Sequence, residues 1–452
     1  MPYTVPTTAT ESWAPSSLRR ELQDRLDTLT RMHRVPGVQL VLDTGTDFLT
    51  LHTGTADTAT GAPFAADTAV PLGSLTKPYT AALVMLLADD GDLDLDEPAA
   101  GHLPELRQLP EVTVRQLLSH TGGLPTGPDS DTAAATTAAR YLAAVCTARD
   151  ALFAPGTDFS YSNAGYVAAG RLVEEVTGMP WHEAVRALLL APLGTRPAFI
   201  GEATGGRPVA AGHAVNTATG LARPARQNLA PLEAPAGALL ASAEDLCAFG
   251  NALIGRSDIL PPAVAKEMRR GENAARAGGL ADGWGPGLAL YRDGDRVWCG
   301  HDGNAQGTSC HLRADAESGV VVAFTGNAGG ATALWRDLAA EIAALTGVRV
   351  PVGVRTADAD RGRPVPLPEC VGAYRNGTTH YRVAPGPDGS PALSVDGDLA
   401  LPLVCYADLT CDLVDPASGR LEPGGRFHRD PATGTIDRIQ ISGRTARRTD
   451  DG

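Results

Sequence analysis

The segment 347–369 interrupts this chain with a run that is rich in proline, glycine and charged residues and has no apolar period. Such a composition predicts a linker between separately folded parts. At 452 residues, with 43% apolar and 20% charged content, the chain is long enough for two soluble domains. We therefore predict one domain over residues 1–346, a linker over 347–365 and a second domain over 366–452.

Strand patterns lie near both ends of the first part, with mostly helical patterns between them. "GVQLVLDTG" and "DFLTLHTG" predict two strands joined by a turn, and "DRVWCGHDG" and "GVVVAFTGN" predict two more far along the chain. An amphipathic helix over 16–33 precedes the first pair, and a helix ending before Gly347 follows the second. We expect one antiparallel sheet flanked by helices, an α/β (α+β) fold. The apolar positions of these two helices are Leu18, Leu22, Leu26, Leu29 and Met32, and Leu334, Leu338, Ile342 and Leu345.

The middle of the first part is predicted to be mostly helical. Ser242, followed three positions later by Asp245, is a typical N-cap signature for the last of these helices. The predicted helices cover residues 77–90, 113–119, 134–146, 165–177, 181–190 and 243–254.

The second part has a different pattern. Short apolar segments such as "CVGAYR", "ALSVDG" and "IDRIQIS" are separated by glycine, proline, asparagine and aspartate. That spacing predicts a small antiparallel sandwich or barrel.

Charge and cysteine usage exclude several classes of function. A formal charge of -14 disfavours nonspecific binding to nucleic acid or to an anionic membrane. No apolar run is long enough to cross a bilayer, and the N-terminus lacks the pattern of a secretory signal. Seven scattered cysteines without a C-x-x-C pair favour reduced thiols and disfavour zinc. We predict a cytoplasmic protein with no metal and no cofactor.

Lys77 is one of only two lysines in the chain, whereas 36 residues are arginine. If the residues after Ser74 are helical, Ser74 and Lys77 are one turn apart on the same face. A serine hydroxyl needs a base nearby to act as a nucleophile, and a desolvated lysine amine can lose its proton as arginine cannot. Lys77 is therefore a candidate base for Ser74. The alternative is a helix-capping serine followed by a surface lysine.

Other segments offer the remaining groups that acyl transfer needs. "FSYSNAGY" supplies Tyr161 and Asn163 at the head of a predicted helix, and a tyrosine can carry a proton to a leaving group. "CGHDGNAQG" supplies His301 on a strand edge bracketed by glycines, which suits oxyanion and substrate donors. Taken one by one, these residues also fit a packed aromatic, a helix cap and a turn histidine. Their order along the chain favours the catalytic interpretation.

The set Ser74-Leu-Thr-Lys77, Tyr161-Ser-Asn163 and His301-Asp-Gly303 resembles the three motifs of the penicillin-recognising serine enzymes. The chain is most similar to the branch with class C β-lactamases, D-stereospecific peptidases, esterases and the penicillin-binding-protein-type thioesterases that cyclise nonribosomal peptides. The resemblance covers about residues 16–346 and implies a β-lactamase/transpeptidase-like fold. Residues 366–452 resemble the lipocalin-like barrel that several members of this branch carry.

The resemblance implies a role for each matching residue. Ser74 would be the acylated nucleophile, Lys77 its base and Tyr161 the proton shuttle. Asn163 would hold the amide of the acyl donor or Lys77 itself. The backbone amides of Ser74 and Asn304 would form the oxyanion hole.

The third motif departs from the family pattern. His301 and Gly303 stand where the family usually has a lysine and a glycine, and histidine supplies positive charge only in part near neutral pH. This departure disfavours β-lactamase activity and tight carboxylate capture. His120, in "SHTGGLP", is predicted to be structural.

An acyl-serine intermediate can be resolved by water or by an internal amine. Our first hypothesis is a stand-alone thioesterase that accepts a peptidyl acyl donor, presented on a carrier protein of a nonribosomal peptide synthetase, and closes it head to tail. The alternatives are a cytoplasmic D-stereospecific peptidase or esterase, and a non-enzymatic binding protein with the same fold. The family habit favours a D-configured residue at the acylating carbonyl.

Overall fold

The computed structural model describes residues 16–449 except 197, 217, 354–361, 387–388 and 416–418. Helices and strands are numbered in chain order. The helices are α1 (Ser16–Met32), α2 (Thr76–Asp89), α3 (Val114–Leu118), α4 (Ser130–Ala133), α5 (Ala138–Val145), α6 (Asn163–Thr177), α7 (Trp181–Val185), α8 (Ala234–Gly237), α9 (Ala243–Leu253), α10 (Pro262–Met268) and α11 (Ala331–Thr346).

The strands fall into two groups on either side of the predicted linker. Those of the first part are β1 (Gly37–Asp43), β2 (Phe48–Asp57), β3 (Ala62–Pro63), β4 (Val70–Pro71), β5 (Ala198–Phe199), β6 (Gly212–Val215), β7 (Ala222–Ala225), β8 (Leu239–Ala241), β9 (Gly283–Trp284), β10 (Ala289–Asp293), β11 (Arg296–Gly303), β12 (Ser309–Asp315) and β13 (Val320–Gly326). Those of the second part are β14 (Gly372–Asn376), β15 (Thr379–Pro385), β16 (Pro391–Val395), β17 (Leu401–Cys405), β18 (Thr410–Val414), β19 (Leu421–Arg429), β20 (Ile436–Ile441) and β21 (Arg444–Arg448).

The central sheet brings the two ends of the first part side by side. Its strand order is β3-β2-β1-β13-β12-β11-β10-β9, and the neighbouring pairs are antiparallel. Leu40 of β1 lies opposite Phe324 of β13 across the seam between the two ends. The predicted antiparallel sheet is therefore confirmed.

The two terminal helices, α1 and α11, pack together against this sheet. Leu22 and Leu26 of α1 and Leu338 of α11 are fully buried in one apolar cluster. Each such leucine contributes about 2 kcal/mol by leaving water. Met32, which we expected on the same face, is 60% exposed because it lies in the last turn of α1, beyond the edge of the cluster.

A second apolar cluster surrounds α2, the helix that follows Ser74. It includes residues of α6 and α9, and Tyr79 of α2 stacks on Phe249 of α9 with ring centroids 3.8 Å apart. Ser242 and Asp245 form the predicted cap of α9, with the hydroxyl and the carboxylate each accepting a hydrogen bond from the other's backbone amide. The helix that begins just after Ser74 and contains Lys77 is thus supported by a packed core.

The second part is a closed barrel of eight antiparallel strands, β14 to β21. Its interior is filled by apolar side chains, which alternate along the strands with more exposed residues. The interior side chains include Tyr374, Val383, Phe427 and Ile439. The barrel form of the predicted all-β unit is therefore confirmed.

The first residues of the predicted linker are packed against the first part, which their sequence pattern did not indicate. Val348, Val350 and Val352 pack against the cluster of α1 and α11, and the Arg313 side chain donates a hydrogen bond to the Pro351 carbonyl at 2.9 Å. Residues 354–361 of this linker lie outside the described residues. The start of the segment is therefore an extension of the first part rather than a free connection.

All seven cysteines are buried. Among the described helices, none combines the length and the apolar character needed to cross a bilayer.

Candidate active site

Ser74 and Lys77 meet at the start of α2. Ser74 lies on a short 3-10 turn, Gly73–Leu75, between β4 and α2. The Nζ atom of Lys77 lies 3.1 Å from the Oγ atom of Ser74 and donates a hydrogen bond to the Ala236 carbonyl at 2.9 Å. The geometry expected of a nucleophile and its base is present, one turn apart as the spacing predicted.

Lys77 is buried, with 1% of its surface exposed. Burial and, to a smaller extent, the charge of Arg444 lower its pKa to about 7, although the charge of Glu233 opposes both effects. A substantial fraction of the amine is therefore neutral at neutral pH. A neutral amine can still donate to the Ala236 carbonyl while it accepts the Ser74 proton.

Tyr161 lies beside this pair. The Lys77 Nζ atom is 5.0 Å from the centre of the Tyr161 ring, and the tyrosine is buried. Burial raises the pKa of Tyr161 to about 12, although the hydroxyl of Ser74 and the charge of Arg444 oppose the rise. The phenol therefore keeps its proton at neutral pH. Its Oη atom is buried and has no hydrogen-bond partner among the described residues.

His301 lies near the end of β11, with its ring 6.1 Å from that of Tyr161. Its Nδ1 atom donates to the Asp302 carbonyl at 2.5 Å, which leaves Nε2 as a buried acceptor without a partner in the described part of the chain. Burial and the charge of Lys77 lower the pKa of His301 to about 4. The expectation that His301 supplies part of a positive charge near neutral pH is therefore wrong: the ring is neutral there.

A buried ionic network lies behind His301 and fixes the end of β11. Asp302 accepts hydrogen bonds from His311 Nδ1 at 2.7 Å and from Arg313 at 3.1 Å, and the guanidinium of Arg313 stacks on Tyr291 at 3.7 Å. Burial alone would raise the pKa of Asp302, yet Arg313 and His311 hold it well below its ordinary value. Because Asp302 stays ionised, the network holds the strand without adding net charge to the site.

Gly303 and Asn304 bring the end of β11 against the turn that carries Ser74. A Cβ atom at Gly303 would lie 2.1 Å from the Leu72 carbonyl oxygen, and one at Gly73, whose φ is +54°, would lie 2.1 Å from that of Asn304. Only glycine allows this approach of two main chains. The predicted oxyanion residues, Ser74 and Asn304, are thereby placed together.

Ser74 and Asn304 open onto a cavity of about 240 Å³. Asn163, the first residue of α6, also lines it, while Ser162 rather than Asn163 caps the helix. The described residues show no hydrogen bond between Asn163 and Lys77, so of its two expected roles the geometry favours contact with the acyl donor. The other lining residues include Ile200, Gln227, Leu229, Glu233, Gly237 and Gln306.

His120 also lies at this site, behind Tyr161. Its ring is 4.3 Å from that of Tyr161, and its Nδ1 atom accepts a hydrogen bond from the Ser162 amide at 3.1 Å. Burial lowers the pKa of His120 well below its ordinary value, so the ring is neutral. Its contacts hold the main chain next to Tyr161, in keeping with the structural role predicted for it.

Arg444 was not predicted and comes from the barrel. Its guanidinium lies 5.3 Å from the centre of the Tyr161 ring. It brings a permanent positive charge to a site where His301 is neutral. No local signal marks Arg444, because 370 residues separate it from Ser74 and it is one of many arginines in the chain.

Replacing Arg444 by methionine is expected to raise the pKa of Lys77, because the guanidinium disfavours the protonated amine. The neutral fraction of Lys77 then falls at neutral pH, and the acid limb of the rate profile moves to higher pH. Isotope-labelled lysine gives only two side-chain signals in this chain, so NMR titration measures the pKa directly. Arg447→Met is the matched control, since Arg447 is on the same strand but bonds to the Ala151 carbonyl. An unchanged Lys77 pKa in the Arg444 variant would contradict this account.

The fold and the Ser74 site define a class of protein. A β-lactamase family model matches residues 20–344, and the chain belongs to this family. It is a serine hydrolase of the β-lactamase and penicillin-binding-protein fold.

Particular relatives extend over most of the chain. Penicillin-binding protein 4 of Amycolatopsis lactamdurans is 33% identical over 373 residues, which cover 78% of this chain and 96% of that protein. The crystal structure of SurE is 35% identical, covers 96% of this chain and 99% of its own, and superposes with a TM-score of 0.84. A D-amino acid amidase from Ochrobactrum anthropi SV3, complexed with L-phenylalanine amide, is 30% identical over 70% of this chain and 92% of its own, with a TM-score of 0.60.

Proposed function

We propose that this protein is a stand-alone thioesterase that takes a peptidyl chain from a carrier protein of a nonribosomal peptide synthetase and closes it head to tail. The observation that carries the chemistry is the pair of Ser74 and Lys77. Their 3.1 Å separation, with a buried amine whose pKa is about 7, provides a base for the serine at neutral pH.

The reaction would proceed in two halves. Ser74 Oγ attacks the acyl carbonyl as Lys77 Nζ accepts its proton, and the backbone amides of Ser74 and Asn304 stabilise the oxyanion. The carrier thiol leaves with a proton passed through Tyr161. In the second half, the amine at the other end of the same peptide attacks the ester carbon and forms the amide bond. The ester C–O bond then breaks, and the proton of the amine passes through Tyr161 and Lys77 to Ser74 Oγ, which restores the serine hydroxyl.

A D-configured residue at the acylating carbonyl is supported by two relatives. SurE has been solved with D-Leu, and the similar amidase acts on D-amino acid amides by its name. In this chain, the cavity beside Ser74 is small and partly apolar, with Ile200 and Leu229 in its wall. A cavity of this size suits a single side chain of the acyl residue rather than a long segment.

Burial of the proton-transfer groups favours an amine over water as the second nucleophile. Lys77 is 1% exposed and Tyr161 is 5% exposed, and the barrel lies against Tyr161. Limited access of water to an acyl-serine lengthens its lifetime, which an internal amine of the same peptide needs in order to reach it. The cytoplasmic location predicted from the sequence would place the protein beside a peptide synthetase.

A D-stereospecific hydrolase is the second candidate, and the similarity to the D-amino acid amidase favours it. The same catalytic groups would then serve water as the nucleophile. A non-enzymatic binding protein is the third candidate, and the presence of Ser74, Lys77 and Tyr161 together disfavours it.

Incubation with a peptidyl thioester that has a D-configured C-terminal residue and a free N-terminal amine separates these candidates. We expect a cyclic peptide, measured by mass spectrometry as loss of the thiol without gain of water. The epimer with an L-configured C-terminal residue is the matched substrate control, and Ser74→Ala is the matched protein control.

Each candidate predicts a different result of this experiment. Linear acid as the only product would leave a hydrolase and overturn the cyclase. Absence of an adduct at Ser74 with any activated acyl donor would overturn both, and retained binding by Ser74→Ala without turnover by the native protein would identify a binder.

A further inference from the structure

The barrel contacts four consecutive residues of the first part, and the last of them is Tyr161. Asp158 accepts from Arg438 at 2.9 Å and lies 3.2 Å from His428 Nδ1, both on barrel strands. At the other end of the run, the Tyr161 amide donates to the carbonyl of Gly443 at 2.8 Å. Gly443 lies in the turn between β20 and β21.

Gln440 and Thr445 form hydrogen bonds with Phe159 and Ser160, the two residues between these ends. The Phe159 carbonyl accepts from Gln440 Nε2 at 3.0 Å and from Thr445 Oγ1 at 2.8 Å. The Ser160 hydroxyl accepts from the Thr445 amide at 3.1 Å. Every residue from 158 to 161 therefore has a polar contact with the barrel.

These contacts are closed to water. Gln440, Thr445 and Asn376 have no exposed surface, and Asn376 Oδ1 accepts from the Thr126 amide at 2.8 Å. A buried carbonyl or amide that loses its partner cannot be satisfied by solvent, so the barrel specifies the path of this segment rather than merely covering it.

The first part also holds this segment, although residues 159–162 have no regular secondary structure. The Thr126 hydroxyl donates to the Tyr161 carbonyl at 3.3 Å, and the ring of Trp284 packs against the rings of Phe159 and Tyr161. The His120 carbonyl accepts from the Ser160 amide at 2.9 Å, and its Nδ1 atom accepts from the Ser162 amide at 3.1 Å. The main chain around Tyr161 is therefore held between His120 on one side and the barrel on the other.

We propose that the barrel is a positioning element for Tyr161, with Gln440 and Thr445 as positioning residues that keep the phenol beside Ser74 and Lys77. This inference rests on the proposed role of Tyr161 as proton shuttle. A displacement of about 1 Å in a group that transfers a proton costs about 100-fold in rate, so main-chain contacts at neighbouring residues are enough to affect the reaction.

The test is a double-mutant cycle between the barrel and Tyr161 in the full-length protein. Gln440→Met and Thr445→Val, combined, remove the hydrogen bonds to Phe159 with little change of shape. The pair is introduced into the native chain and into a Tyr161→Phe chain. Single-turnover acylation and deacylation are measured with a p-nitroanilide of a D-amino acid, because its amine leaving group must be protonated to depart, together with Tm.

In the native chain, the barrel substitutions are expected to lower the rate of acyl transfer by about 100-fold with KM changed by less than about twofold. In the Tyr161→Phe chain, the barrel substitutions should lower the rate of acyl transfer by less than about a further twofold, because the phenol hydroxyl that they position is already absent. Tyr406→Phe is the control: it removes a buried hydrogen bond to Asp412 within the barrel, and it should lower Tm without changing the rate.

Two results would overturn this proposal alone. One is an equal loss of rate in the native and Tyr161→Phe chains, which would show that the barrel substitutions act through a group other than Tyr161. The other is a native rate of acyl transfer after the barrel substitutions. A native rate for Tyr161→Phe itself would overturn the proton-shuttle role and this proposal together, whereas absence of acylated Ser74 in the native chain would overturn the proposed function as well.

Discussion

Lys77→Met is expected to slow acylation of Ser74 by about 10³-fold, because it removes the base and leaves the oxyanion donors and the cavity in place. The Lys77 amine is the group bonded to the Ser74 hydroxyl, and its low pKa supplies a neutral base at neutral pH. Methionine has a similar length and is uncharged, so the buried site loses no packing and gains no unpaired charge. The measurement is the rate of adduct formation at Ser74 with an activated acyl donor, followed by intact mass.

The second lysine provides a matched control for this substitution. Lys266 is exposed on α10, and Ser74 of the Lys266→Met variant should be acylated at the native rate. Lys77→Arg should be as slow as Lys77→Met, since a guanidinium keeps its proton. Acylation of Lys77→Met within about tenfold of the native rate would show that the base is another group.

Gly303→Ala is expected to lower kcat by about 100-fold and to destabilise the protein by about 1–3 kcal/mol. The added Cβ would lie 2.1 Å from the Leu72 carbonyl oxygen and 2.7 Å from the Leu75 amide nitrogen. Both atoms belong to the main chain around the turn that carries Ser74, so the clash cannot be relieved by a side-chain rotation. The end of β11 must move away from Ser74, and the predicted oxyanion donors then separate.

Gly329→Ala is the matched control for this effect, because a Cβ there meets no atom within 4 Å. Steady-state kinetics and thermal unfolding of the two variants measure rate and stability separately. A Gly303→Ala enzyme with native kcat would contradict the close approach of β11 to the serine turn.

Much of the local structure was predictable from residue spacing. The helix predicted over residues 77–90 is present as α2 over 76–89, and "DRVWCGHDG" and "GVVVAFTGN" form β11 and β13. Such elements depend on the period of apolar residues along a short segment, and that period is visible in the chain itself.

Features that depend on distant atoms were predicted less well. Met32 continues the apolar period of α1 yet lies in solvent, because the neighbouring elements do not extend that far. His301 was expected to be partly charged, but burial and the charge of Lys77 lower its pKa to about 4. Val350 lies in a segment that reads as a linker and nevertheless packs on the first part. In each case the missing information was which surface lies nearby.

The amino-acid sequence by itself determined the pairing of Ser74 with Lys77, since two residues three positions apart on a helical turn face the same way in any fold that keeps the turn. Only the tertiary structure decided that the amine is buried and has a pKa of about 7, that His301 is neutral, and that Arg444 and Gly443 of the barrel reach Tyr161. Desolvation and electrostatic interaction depend on distances through space, and those distances exist only once residues far apart along the chain have packed together.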